Sequence, residues 1–336
     1  MMKKLLLLLL MSAVLLCGCT GKIAVDTGTS DIDRPAVQDD SVKTGLALIT
    51  TVSKSMNATP DSSGSARTDV TMVALTVDSE GIIRSCAIDG VTAAVPFDDS
   101  GEMLLDDDAT FATKNELGDD YGMHKASPIG KEWDEQAAAF AAYAVGKRAD
   151  ELTSGDITAS VTISTDDFVR AIRSAADTAV YLGAHSGDRL ALTALCRVDD
   201  AEDAEDGANG VVQCSVSAAA VTMRGDTVTS CLFDGVQTRL TVTAEGLIPD
   251  DLSAAQLSKN RLGNQYGMAK ASSIGREWYE QAAAFAAYTV GKTPRQLTAI
   301  PTDDSGHPTG ADLVSSVTIS VSDFQALVLK AAGGGA

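Results

Sequence analysis

The 336-residue sequence has only three histidines, His124, His185 and His307, and no CxxC or Cys/His metal spacing. That scarcity argues against a zinc site, a haem or an iron–sulfur centre. No G-x-S-x-G, H-E-x-x-H, GxxxxGK[ST] or GxGxxG motif occurs, so nothing in the chain reads as hydrolytic, and no phosphate loop or dinucleotide fingerprint is present. Basic residues are few. With 26 Lys+Arg against 46 Asp+Glu the net charge is −20, which repels nucleic-acid phosphates and anionic lipid head groups. The apolar run at the N-terminus, Leu5 to Leu16, is too short for a membrane-spanning helix.

What that run offers instead is an address. Lys3 and Lys4 precede it and Leu16-Cys17-Gly18-Cys19 closes it, which reads as a bacterial secretory signal (1–18) ending in a lipobox, with Cys19 as the lipidated residue. Lipid chains would hold the protein to the cell membrane from outside the cytoplasm without any spanning segment. Residues 19–42 are polar and lack apolar periodicity, so they read as a flexible tether. Losing Lys3 and Lys4 with the signal takes the charge from −20 to −22. Asp106–Asp108 and the stretch from Asp199 to Asp206 read as solvated loops without an EF-hand pattern. Of the remaining cysteines, Cys86 and Cys231 read as small buried strand residues. Cys196 and Cys214 flank the acidic loop, where an extracytoplasmic disulfide stays open.

The dominant feature is a repeat. LGDDYGMHKASPIGKEWDEQAAAFAAYAVGK (117–147) recurs as LGNQYGMAKASSIGREWYEQAAAFAAYTVGK (262–292), identical at 24 of 31 positions. Cys86 and Cys231 keep the same spacing of 145. SVTISTDDF (160–168) returns as SVTISVSDF (316–324), displaced further by the turn-rich insertion IPTDDSGHPTGAD. Two tandem copies follow, at 43–183 and 186–332, each of ordinary domain size.

Each copy reads as α+β, an antiparallel sheet with helices. An apolar segment (GLALITTVS) leads to the strands DVTMVALTV and GIIRSCAI, joined by a turn at Asp78–Gly81; the second copy turns at Arg224-Gly225-Asp226. One or two further strands are expected before Leu117. A helix is expected from Ser127-Pro128 to Gly146, with Trp133, Ala137, Phe140 and Ala144 on one face. A last strand or extended turn (ITASVTIS) should feed a second helix with Phe168, Ile172, Ala175 and Ala179 on one face, as Phe324, Val328 and Ala331 are in the second copy.

Three features kept in both copies are the candidates for chemistry. Tyr121-Gly122-Met123 and Tyr266-Gly267-Met268 supply apolar surface for a planar ring, as do Trp133 and Trp278, although the tryptophans also suit a core. Gly130 and Gly275 would let a flat ligand approach the backbone in an early helical turn. The Ser/Thr runs 160–164 and 316–320 precede a helix, whose free N–H groups suit a phosphate.

In the order of these parts the sequence resembles the FMN-binding domain family, found in bacterial extracytoplasmic electron-transfer proteins and in subunits of sodium-pumping quinone reductases. Family members end an attachment motif with a Thr that takes FMN through a phosphoester bond, installed by a magnesium-dependent flavin transferase. The motif falls on Asp156-Ile157-Thr158-Ala159-Ser160-Val161-Thr162 and on Asp312-Leu313-Val314-Ser315-Ser316-Val317-Thr318. Val161 and Val317 stand where the family has Ala, and Ala159 replaces a hydroxyl residue, so the second copy matches better.

The resemblance implies a tandem flavoprotein with FMN as cofactor. Thr162 and Thr318 would be attachment points, Asp156 and Asp312 transferase recognition elements, and Ser160 and Ser316 phosphate supports. Tyr121, Met123, Gly130, Tyr266, Met268 and Gly275 would surround the ring. The cofactor carries the redox chemistry, so the chain reads as an electron carrier or binding protein rather than an enzyme, with a flavin transferase and a redox protein as partners. The alternative is a non-catalytic envelope lipoprotein whose FMN-binding-like fold holds another small ligand or a protein.

Overall fold

The computed structural model describes residues 40–157, 159–205 and 207–333. The expected signal, the Cys19 lipidation site and all but the last residues of the tether lie outside them. Each copy opens with a three-stranded antiparallel meander. In the first copy it consists of β1 (Ser41–Thr51), β2 (Gly64–Val77) and β3 (Ile83–Phe97); in the second, of β5 (Arg189–Glu202), β6 (Gly210–Arg224) and β7 (Thr227–Val242). Between them β4 (Val180–His185) closes the first copy by pairing antiparallel with the start of β1. The sheet orders are β3-β2-β1-β4 and β5-β6-β7. The fold is thus mixed α+β with two antiparallel sheets.

The sheets pack face to face. In β2, Val70, Met72 and Ala74 point toward the other sheet, while Val73, Leu75 and Val77 point toward helices. In β6, Val216, Ala218 and Ala220 alternate in the same way with Ala219, Val221 and Met223. Because side chains alternate faces along a strand and both faces are covered, these strands read as continuous apolar runs rather than as an apolar/polar alternation. β1 lies over β7 and β3 over β5, as a pseudo-two-fold axis through β2 and β6 requires. Two buried hydroxyl pairs link the sheets, Thr44–Ser230 and Thr68–Thr238, both at 2.7 Å.

Helices cover the outer faces. Short α1 (Lys114–Leu117) precedes α2 (Trp133–Ala144) and α3 (Asp166–Asp177) on the first sheet; α4 (Lys259–Leu262), α5 (Trp278–Thr289), α6 (Pro294–Thr298) and α7 (Ser322–Ala331) serve the second. Trp133, Ala137, Phe140 and Ala144 are buried on one face of α2, as their spacing predicts, and so are Phe168, Ile172 and Ala175 of α3, but α3 ends at Asp177, so Ala179 lies beyond it and is only partly buried. The expected helix start at Ser127-Pro128 is not found. Gly130 takes φ +64° and accepts a turn in which its N–H bonds to the Ser127 carbonyl at 3.0 Å, so the helix cannot begin before it. Glu132 caps α2 instead, in a capping box with Glu135.

Two other expectations change. No further strand precedes Leu117 among the described residues; β3 runs on to Phe97, and the segment after it forms only isolated bridges. One of these crosses between copies, because Phe111 N–H bonds to the Cys196 carbonyl and Val198 N–H to the Ala109 carbonyl. The acidic stretch from Asp199 is a strand continuation as far as Glu202. Cys196 and Cys214 are buried free thiols, each opposite a valine in the register, and burial pushes both up to about 12.

Candidate functional site

In the second copy a cavity of about 580 Å³ opens between the sheet, the Tyr-Gly-Met turn and the N-terminus of α7. Its apolar wall is Tyr266, Met268, Trp278 and Phe324; Arg197, Asp199, Lys259 and Asp323 bring charge; Thr318 brings a hydroxyl.

Lys259 owes its place to a local device. An Asp-Gly step in β7 puts Asp234 under the first turn of α4, where its Oδ1 accepts the N–H groups of Gly235 at 2.8 Å and Asn260 at 3.0 Å. Asn260 donates back to the Phe233 carbonyl at 2.7 Å. This clamp fixes Lys259 at the head of the turn. Its ammonium lies 5.2 Å from the Tyr266 ring centroid and 5.0 Å from that of Trp278, in cation–π range. Among the described residues no carboxylate pairs with it within 4 Å. Burial lowers its pKa, with Asp199 the main opposing influence.

Arg197, by contrast, is paired. It donates to Asp199 at 3.0 Å and Asp323 at 2.7 Å. Asp199 in turn accepts the Ser215 hydroxyl. The lysine is therefore the cavity's free cation.

Thr318 is held by Gln281, which is fully buried on α5. The amide oxygen accepts Thr318 N–H at 2.8 Å, its hydroxyl at 3.1 Å and Ile319 N–H at 3.2 Å, and the amide nitrogen donates to Ser272 and to the Arg276 carbonyl. The hydroxyl spends its proton on Gln281, which leaves its oxygen lone pairs for the cavity. Glu277 accepts the N–H groups of Met268 and Ala269 and so pins the Tyr-Gly-Met turn over the head of α5.

The first copy rebuilds the arrangement. Asp89 accepts Gly90 and Asn115 N–H, and Lys114 lies 5.2 Å from the Tyr121 centroid and 4.7 Å from that of Trp133. Gln136 holds Thr162 N–H at 2.8 Å, and Glu132 holds Met123 and His124. Burial pushes both Asp89 and Asp234 up to about 6, against the hydrogen bonds they accept.

The predicted residues thus separate. Tyr266, Met268 and Thr318 line one cavity, and Tyr121, Met123 and Thr162 repeat their setting around Lys114 and Gln136. Gly130 and Gly275 serve turns of positive φ before the helices and stand away from it, with open space about them. Asp156 bonds to Thr153, and Ser316 donates to the Leu313 carbonyl. Asp156 and Asp312 also face the hydroxyls of Tyr143 and Tyr288, outside the cavity wall. Ser160 donates its N–H to the Ile157 carbonyl at 2.8 Å within the same loop.

The sequence reading passes over Lys114, Lys259, Asp89, Asp234, Gln136 and Gln281. All six were within reach, since each pair is identical in the two copies at the spacing of 145. No protein-family model, curated protein or solved structure matches the chain.

Proposed function

We propose that this chain is an extracytoplasmic, lipid-anchored protein that binds FMN and relays electrons, with the second copy as the better site and Thr318 as the attachment point. The observation that carries the reading is the convergence of Tyr266, Met268, Trp278 and Thr318, from two separate stretches of chain, on one cavity with a free ammonium. A cavity of about 580 Å³ is in the size range of small-molecule and cofactor sites. Its residues fit the group: an apolar wall for the ring, a cation for the phosphate, and a hydroxyl for the ester. When bound, the flavin would supply the electron transfer.

The valines that depart from the family motif are compatible with this. Val317 is fully buried and packs into the helix-side core, while Thr318 turns the other way, toward the cavity. Val161 is buried likewise. The valine bulk sits behind the acceptor rather than over it.

The test is intact mass and in-gel flavin fluorescence of the mature soluble chain, made together with a flavin transferase. One FMN-sized addition, lost in Thr318→Val and kept in Thr162→Val, is expected. Yellow protein that loses its colour on denaturation would mean FMN held without the ester. Colourless protein of unmodified mass would remove the electron-carrier reading. It would favour the second reading, a binding protein for another small ligand, to which the carboxylates Asp199 and Asp323 in the cavity lend support.

A further inference from the structure

Two lysines in this chain occupy the same unusual position. Lys114 and Lys259 each head a four-residue helical turn clamped to a strand by a buried Asp and an Asn. Each ammonium lies about equally far from a tyrosine and a tryptophan ring. Neither has an ion-pair partner among the described residues, although carboxylates are abundant in the chain. A clamp of this kind is expensive for a structural lysine, because it holds a cation partly out of water with no paired anion. An anionic ligand would supply the missing partner, through a charge-assisted hydrogen bond strengthened by the low local dielectric.

The charged surroundings support a retained role. Beside Lys114 the Arg–carboxylate pair is Arg67 and Asp69, both on β2. Beside Lys259 it is Arg197 and Asp199, both on β5. Those strands are not counterparts: β5 answers to β1. In each copy an Arg–Asp pair thus acts on the lysine's charge, although a different strand supplies it. In each case the arginine has a carboxylate partner within hydrogen-bond distance, whereas the lysine has none.

We propose that Lys114 and Lys259 are the anion-recognising residues of two equivalent sites, each taking the phosphate of a ligand whose flat ring rests on the neighbouring apolar wall. This deepens the flavin reading and extends it to the first copy, yet it can be tested apart from it. The chain has two tryptophans, one per site, so Trp133→Phe leaves a fluorescence reporter at Lys259 and Trp278→Phe leaves one at Lys114.

Each reporter variant is titrated at low salt with FMN, with riboflavin, which lacks the phosphate, and with phenyl phosphate. FMN is expected to bind at least about tenfold more tightly than riboflavin, a difference of about 1.4 kcal/mol. Lys259→Met should abolish that preference at the second site, and Lys114→Met should do the same at the first. Lys→Arg keeps the charge and should keep the preference, which separates loss of recognition from loss of fold. Equal affinity for FMN and riboflavin, or a phosphate preference that survives Lys→Met, overturns the proposal. Lysine-dependent binding of phenyl phosphate without FMN binding would uphold the anion sites and remove the flavin. Failure of both phosphates to bind would remove both.

Discussion

The two copies are most informative where they differ. Around Lys114 stand Arg67, Lys54 and the carboxylate Asp69; around Lys259 stand Arg197 and the carboxylates Asp199 and Asp323. Lys54 is an exposed surface residue 3.7 Å from Asp69, whereas in the second site Asp323, at the head of α7, bonds to Arg197. The first site is therefore the more cationic and the second nearly balanced. His124 in the first copy bonds to Glu132 at 2.6 Å, where the second copy has Ala269. The clamp on the lysine, the glutamine that holds the threonine and the glutamate that pins the turn are the same in both. The framework that positions the groups has been kept, and the field around them has drifted.

The strongest way to break the likeness is at the glutamines. Gln136→Leu or Gln281→Leu leaves backbone N–H groups of the threonine loop without their acceptor. Each should cost about 3 kcal/mol by urea unfolding, since two partly buried N–H groups lose their acceptor and an orphaned donor costs about 1–3 kcal/mol. Because both copies share the core between the sheets, either substitution should shift one cooperative transition rather than split it in two. Two resolved transitions would contradict a shared core.

A second effect, shared by both copies, runs against ordinary acid behaviour. Asp89 and Asp234 have folded-state values of about 6 against 3.8 for the free side chain. A raised value means that the folded state holds the proton more tightly. The stabilisation is fully present below the unfolded value and is lost as pH rises through about 6. Their contribution should thus fall between pH 4 and pH 6, by up to about 3 kcal/mol for each aspartate at 1.36 kcal/mol per unit, against the opposite trend of carboxylates held low, such as Asp69 and Glu116. Relative to wild type, Asp89→Asn and Asp234→Asn should each shift the slope in this window toward stability that rises with pH. A slope left unchanged by both substitutions would refute the assignment.

The smallest effect sharpens the comparison rather than breaking it. His124→Ala makes the first copy resemble the second and removes one partly buried hydrogen bond to Glu132, a loss of about 0.5–1.5 kcal/mol. Ala269→His should recover part of that amount in the second copy, read as a shift in the urea midpoint at unchanged slope.

Much of the fold could be read from the sequence, because period-2 and period-3.6 patterns and the repeat report burial directly. Trp133, Phe140 and Phe168 fall where their spacing puts them. The start of α2 could not be read that way, since Ser127-Pro128 looks like a good cap and only the positive φ of Gly130 excludes it. The face-to-face packing was hidden for a related reason: strands covered on both sides show no polar face to betray their neighbour. Within the site, Tyr266, Met268 and Thr318 were legible as repeated residues, but a lysine in a polar stretch looks like surface until its aspartate clamp is seen. The Arg–Asp pair could not be found by aligning the copies at all, because it sits on non-equivalent strands.

The core between the sheets has one more consequence. A pair of identical subunits related by a two-fold axis must change both sites whenever it changes one. Here the same arrangement is written along a single chain, through the link from β4 to β5 at Ser186–Asp188. Each half serves as the other's binding partner at an effective concentration that dilution cannot lower. Either half is then free to carry its own local charge, while the framework it shares with the other is kept.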